Sequence, residues 1–190
     1  VRTAVLQAAF ELLGERGYEA TTLPEVARRA GVHPTTIYRR WHSKQGLLTD
    51  AMLVYAAENI PTPDTGSLRG DLEELLREVI NALAEQPVRA LLSAVVADAT
   101  AASSTIAAER TRYWQERFSH AALIVERAVE RGDLAHNVDA YNLIEYLVAP
   151  AYMRALVTGR VLDDSFVDQQ VTNTIAAFAR DRLADSPSAR

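Results

Sequence analysis

The stretch "TTLPEVARRAGVHPTTIYRRW", residues 21–41, constrains this chain more than any other. It packs two helix starts and a turn into about twenty residues. Thr21-Thr22 supplies N-cap oxygens before Leu23-Pro24-Glu25, where Pro suits the first helical turn because its missing N–H costs nothing there. Glu25 stands three residues after Thr22, the spacing of a capping box. The predicted helix runs from Leu23 to Ala30, and Gly31 ends it with a sharp turn. His33-Pro34 then opens a third short helix, to about Trp41. Val26 and Ala27 face inward, and small Ala27, four residues before Gly31, lets the next helix cross closely. This is helix-turn-helix spacing.

On a helical wheel Ile37, Trp41 and Pro34 share one face, and Thr35 and Arg39 point away from it. Arg40 falls closer to the buried side. The third helix is thus expected to be pinned by Ile37 and Trp41 while it presents hydroxyls and a guanidinium outward, which suits base edges and phosphates. Charge agrees. Pro24 to Gln45 holds five basic residues and one acidic residue in a chain of net charge −5. Arg28 and Arg29 are further candidates for phosphate contact, and His42 is expected to be solvated.

The rest of the chain reads as helix. Helix 1 is expected from about Arg2 to Arg16, with Val5, Ala9, Leu12 and Leu13 on one stripe and Gly17 stopping it. Ser43 precedes a fourth helix, Lys44 to about Asn59. "PTPDTGS", residues 61–67, reads as the clearest linker. Five more helices follow: Leu68 to Glu85, Pro87 to Thr100, Ser104 to Arg131, Val138 to Gly159 and Ser165 to Leu183, with a frayed tail "DSPSAR". The Ala-, Ser- and Thr-rich residues 97–108 read as a helix junction. The expected architecture is all-α with about nine helices: a helix-turn-helix domain over residues 1–45 and an α-helical regulatory, effector-binding and dimerisation domain over 46–190.

Several function classes fall away. The chain has no Cys, so disulfides, thiolate zinc sites and cysteine nucleophiles are excluded, and a reducing cytoplasm is compatible. His33, His42, His120 and His136 form no H-x-x-x-H pair, and no G-x-S-x-G, phosphate-binding glycine loop or calcium loop is present. No enzymatic role, metal or cofactor is expected. The longest apolar runs, Leu91 to Ala97 and Tyr146 to Met153, fall short of the roughly 20 residues that span a bilayer. With no signal-peptide core at Val1-Arg2-Thr3, the expected location is the cytoplasm.

The order Thr-Thr, Ala, Gly-Val, Tyr, an aromatic, Lys and Leu-Leu within "TTLPEVARRAGVHPTTIYRRWHSKQGLL", together with "AAFELLGERGYEATT", resembles the TetR family of transcriptional regulators. "RYWQERFSHAALIVERAVERGDL" is similar to the regulatory domains of many such proteins. The resemblance implies that Pro34 to Trp41 is the recognition helix. It implies that Thr22, Tyr38 and Lys44 contact DNA phosphates and that His33, Pro34, Thr35, Thr36 and Arg39 lie near base edges. Pro24, and the Arg39-Arg40 pair, depart from the more usual residues and bear on the operator sequence rather than on the class.

Two expectations attach to the later helices. Val167, Val171, Thr174 and Phe178 recur at i, i+4, i+7 and i+11, and Leu147 and Pro150 share one side of the preceding helix. Paired with a second copy they would make a four-helix bundle and a homodimer. Tyr113, Trp114, Phe118, Tyr146 and Tyr152, interspersed with Arg112 and Arg117, could line a pocket for a small apolar effector with an anionic group. The overall expectation is a ligand-responsive regulator, a repressor, that binds a near-palindromic double-stranded DNA operator as a homodimer. The alternative is a helical dimeric interaction module without specific DNA binding.

Overall fold

The computed structural model describes residues 1–97 and 104–179. Among them lie nine α-helices: α1 Arg2–Ala20, α2 Leu23–Arg29, α3 Pro34–Trp41, α4 Lys44–Asn59, α5 Leu68–Ala84, α6 Gln86–Ala97, α7 Ser104–Glu130, α8 Ala140–Met153 and α9 Asp164–Ala179. No strand occurs among the described residues. The expected helix ends at Thr100 and Leu183, the core of the 97–108 junction and the "DSPSAR" tail lie outside them.

The helix boundaries follow the local chemistry. Thr22 caps α2 by accepting from the Glu25 amide at 3.4 Å, and Asp139 caps α8 by accepting from the Asn142 amide at 3.1 Å. Gly17 leaves helical backbone with φ 76° and ψ 177°, as its lack of a Cβ allows. The chain still makes one more turn before Thr21. The predicted helix Val138–Gly159 is divided: α8 gives way to a π-helical turn, Arg154–Thr158, which Gly159 closes at φ 65°.

The chain packs as two compact units. The first comprises Val1–Asn59 with Ala82–Glu116, the second Ile60–Asn81 with Arg117–Arg190. In the first, α1 packs on α2, α4 and α6, and α2 packs on α3. Its core joins Val5, Ala9, Leu12 and Leu13 of α1 to Val26, Ala27, Ile37, Trp41, Leu47 and Leu48. Phe10 of α1 stacks on Tyr55 of α4 with ring centroids 4.7 Å apart.

In the second unit Leu72, Leu76, Ile124, Leu143 and Leu147 are among the largest fully buried side chains. The stretch expected to be a linker is instead a strap tied to α5 and α7. The Arg127 guanidinium donates to the Pro63 carbonyl at 2.8 Å. Buried Asp71 accepts from the Thr65 amide at 2.6 Å, the Thr65 hydroxyl at 2.7 Å and Arg131 at 3.3 Å. Proline and glycine marked the break in helix, but the partners that hold it come from far along the sequence.

Gly14 decides how closely α1 approaches α6. A Cβ there would meet the Pro87 ring 2.8 Å away, too close for a ring that cannot rotate aside. An exposed Gly→Ala change inside a helix gains about 1 kcal/mol from propensity; here the clash opposes that gain. We expect Gly14→Ala to lower the thermal midpoint and Gly14→Ala with Pro87→Ala to recover it, read by circular dichroism. A rise in midpoint for the single variant would contradict this packing.

Candidate nucleic-acid interface and effector cleft

The reading surface is built from the core outward. Ile37 is fully buried and Trp41 is 6% exposed, whereas Tyr38 on the same helix is 48% exposed. Thr35, Arg39 and Arg40 are exposed as well, and Pro34 and Thr36 are half-buried. Arg40 departs from the expectation of a position nearer the core: it is exposed, and its guanidinium carbon lies 5.3 Å from the Trp41 ring centroid.

His33 does more at the start of α3 than the sequence reading gave it. It is the N-cap. Its Nδ1 accepts from the Thr35 amide at 3.4 Å and pairs with the Thr35 hydroxyl at 2.8 Å. Val32 donates its amide to the Ala27 carbonyl at 3.0 Å, and Gly31 turns at φ 66°. These bonds fix the angle at which α3 leaves α2.

Not every cation of this segment is available. Arg29 meets both carboxylate oxygens of Glu15 at 2.6 Å, and Glu25 takes Arg28 at 2.6 Å and Arg16 at 2.8 Å. The Arg29 hydrogen bonds, followed by its charge, hold Glu15 below the ordinary glutamate range. The Arg28 hydrogen bonds, followed by its charge, do the same for Glu25. Arg28 and Arg29 therefore staple α2 to itself and to α1. Among the described residues, Arg39 has no carboxylate partner, and it stands on the outward face. Lys44, expected to meet phosphate, donates to the Tyr18 carbonyl at 3.0 Å and lies 4.0 Å from the Tyr18 ring centroid. An ammonium has three donors, so two remain for an outside acceptor.

A second feature lies in the same unit. A narrow cleft is lined by Tyr18, Gln45, Thr49, Met52, Leu91, Leu92, Ala94, Val95, Glu109, Arg110, Tyr113 and Trp114. Of the five aromatics expected to form a pocket, Tyr113 and Trp114 line it, packed edge to face with centroids 5.1 Å apart. Phe118, Tyr146 and Tyr152 belong to the second unit and do not line this cleft. Phe118 packs on Tyr141 at 5.8 Å and Tyr146 on Phe178 at 5.9 Å. Of the expected arginines, Arg112 bonds to Glu109 and Asp50, each at 2.8 Å. Burial alone would pull its pKa down; the bonds to Glu109 and Asp50 outweigh that and raise it. Arg117 donates to the Ile60 carbonyl at 3.3 Å. Arg110, which the sequence reading passed over, reaches the cleft wall instead.

The residues expected at a dimer seam are mostly inside the second unit. Leu147, Val171 and Thr174 are fully buried and Val167 is 2% exposed. Their stripe closes the chain's own core, because periodicity marks the buried face of a helix without saying what covers it. Pro150 and Phe178 are half-buried. The outward face of α8 carries Tyr141, Tyr146 and Met153, each at least 44% exposed. Among the described residues, no helix is long and apolar enough to cross a membrane, and no cluster of potential metal ligands occurs.

Comparison with known proteins accounts for both parts of the chain. Residues 5–51 match the model for bacterial regulatory proteins of the tetR family, and residues 62–174 match that for the tetracyclin repressor-like C-terminal domain. YdeS of Bacillus subtilis, an uncharacterised HTH-type transcriptional regulator, is 32% identical over 173 residues, which cover 90% of this chain and 85% of YdeS. AqdR of Rhodococcus erythropolis, an HTH-type transcriptional regulator, is 34% identical over 172 residues, covering 90% of this chain and 82% of AqdR. A DNA-binding transcriptional repressor, TetR of Mycobacteroides abscessus, is 31% identical over 181 residues and 93% of each chain. Among solved structures, the TetR family transcription regulator SCO0332 superposes with a TM-score of 0.81 at 33% identity, over 92% of this chain and 96% of that one. The helix-turn-helix seated by Ile37 and Trp41 and the helical part that follows it place this chain in the TetR family of DNA-binding bacterial transcriptional regulators.

Proposed function

We propose that the chain is a ligand-responsive repressor that binds a near-palindromic operator as a homodimer and is released by a small apolar effector. The observation that carries the reading is the outward face of α3: Thr35, Tyr38 and Arg39 exposed on a helix whose opposite face is fixed in the core. We assign DNA reading to residues 1–45 and regulation and dimerisation to 46–190, with Tyr18 and Gln45 of the first part also lining the cleft. Thr22, Tyr38 and Lys44 would meet phosphates, while His33, Pro34, Thr35, Thr36 and Arg39 would lie at base edges. As a regulator acting on DNA it would work in the cytoplasm, with no cofactor and no catalytic step.

The cleft supports an effector with an apolar body, held by Met52, Leu91, Tyr113 and Trp114, and an anionic group beside Arg110. Such a molecule weakens operator binding only if it prefers the DNA-incompetent arrangement, so the two binding events are reciprocally coupled.

The homodimer reading moves from the buried stripe to the outward face of α8. Tyr141, Tyr146 and Met153 of α8 are exposed, as are Glu145 and Ala149 on the same helix. A two-fold axis there would pair two chains, each with its own reading head. We expect Met153→Glu to give monomers of native helicity in sedimentation and circular dichroism. Val171→Asp, by contrast, puts a charge into the core and should cost the fold itself. A Met153→Glu chain that stays dimeric would move the interface elsewhere.

DNA reading is tested on operators selected from random duplexes, with titrations at several salt concentrations. Lys44→Ala should weaken binding to all sequences alike and make the salt slope shallower by about one, because one phosphate contact is lost. Arg39→Ala should change preference at particular base pairs, by about 1–3 kcal/mol for a bidentate contact. An equal loss on selected and unrelated DNA for Arg39→Ala would remove its base-reading role. Recovery of no preferred sequence would remove the operator reading.

A further inference from the structure

Asp50 lies on α4 between two cleft-lining residues of its neighbourhood, Thr49 and Met52, yet does not line the cleft itself. Its carboxylate is divided between two partners. Oδ2 accepts from the indole N–H of Trp41 at 2.9 Å, and Oδ1 accepts from Arg112 at 2.8 Å. Trp41 is the last residue of α3 and is buried, so its N–H depends on an acceptor supplied by the protein. Arg112 stands on α7 between Glu109 and Tyr113, both in the cleft wall, and Glu109 holds it through two bonds at 2.8 and 3.0 Å. A continuous polar path, Glu109–Arg112–Asp50–Trp41, thus runs from the cleft wall to the end of the recognition helix.

We propose that Asp50 is a positioning residue that converts occupancy of the cleft into a shift of α3. The inference rests on the effector reading above and names its physical linkage. An occupant seated between the α4 and α7 walls must displace one from the other. Apolar contacts along those walls are individually weak and can slide. The carboxylate cannot follow in the same way, because both of its oxygens are committed. A separation of about 1 Å takes a 2.8 Å bond beyond hydrogen-bonding range. Either Arg112 leaves Asp50, or Asp50 moves with Arg112 and abandons Trp41. The second outcome prevails, because the Arg112 bond joins two full charges and the indole bond only one, and it loosens Trp41 and with it the helix that aims Thr35 and Arg39.

The test fills the cleft without needing an identified effector. Trp114→Phe leaves Trp41 as the sole indole of the two in the chain, so its emission reports the Asp50 bond. In that background Ala94→Phe places a ring in the cleft. The expected result is a red shift of Trp41 emission together with an operator affinity lowered by about tenfold, within the usual range of allosteric coupling. Adding Arg112→Gln, which cuts the tie beforehand, should reduce both effects of Ala94→Phe to less than about twofold. Asp50→Asn repeats the test from the other end of the same bond. Should Ala94→Phe fail to fold by circular dichroism, Ala94→Met fills the space more gently.

Full effects of cleft filling that persist with Arg112→Gln overturn the linkage, as does an unchanged Trp41 emission on filling. An emission change that Arg112→Gln abolishes, with operator affinity unaffected, keeps the linkage and refutes effector-controlled release. The two failures are therefore distinguishable.

Discussion

Everything this chain does with DNA depends on two side chains of an eight-residue helix being buried. A helix as short as α3 has no independent stability in water, since nucleation costs more than so few backbone bonds return. Ile37 and Trp41 supply what propagation cannot, by entering the core that α1, α2 and α4 share. His33 satisfies the free amide of Thr35 at its start, and Asp50 satisfies the indole at its end. With one face and both ends fixed, the opposite face is rigid enough to present specific polar groups to a groove. Rigidity of that kind is what separates base reading from general attraction to phosphate.

Electrostatics then decides which cations take part. The chain is acidic overall, so a positive surface has to be local. Glu15 and Glu25 neutralise Arg28 and Arg29 and use them to dock α2. Exposed ion pairs of this kind contribute little stability individually; their consequence here is orientation. Arg39 and Arg40, on α3, carry the charge outward. Lys44 faces both ways: it anchors on the Tyr18 carbonyl and keeps donors to spare. Tyr18 and Gln45 line the cleft, so the start of α4 adjoins both α3 and the cleft through adjacent residues.

Much of this was legible in the sequence because it is written in short-range chemistry. Thr22-x-x-Glu25, Gly31 and His33-Pro34 mark helix ends through bonds that span two to four residues, and the helices begin where these residues say. Ile37 and Trp41 could be assigned inward from a wheel alone. What depends on distant partners could not be read. The strap at 61–67 is held by Arg127 and Arg131, and Asp50 meets Arg112 across 62 positions; no local pattern announces either. The α9 stripe was read as a dimer seam from its spacing, while in the single chain Val167 and Val171 already lie in its own core. The cleft was half legible: aromatic Tyr113 and Trp114 drew notice, while Met52, Leu91 and Leu92 look like any core residue until the helices are in place.

The central claim is that α3, seated through Ile37 and Trp41, lies in the major groove with its outward face toward the bases. Because the chain contains no cysteine, a single Cys introduced at Arg40 can carry an iron chelate that cleaves DNA near the point of attachment. On a selected operator the account predicts two sharp cleavage sites with major-groove offsets, symmetric about a centre and separated by about 34 Å or a multiple of it. Diffuse cleavage along the duplex, indistinguishable from that of the same chelate attached at Glu58 on the end of α4, would contradict it.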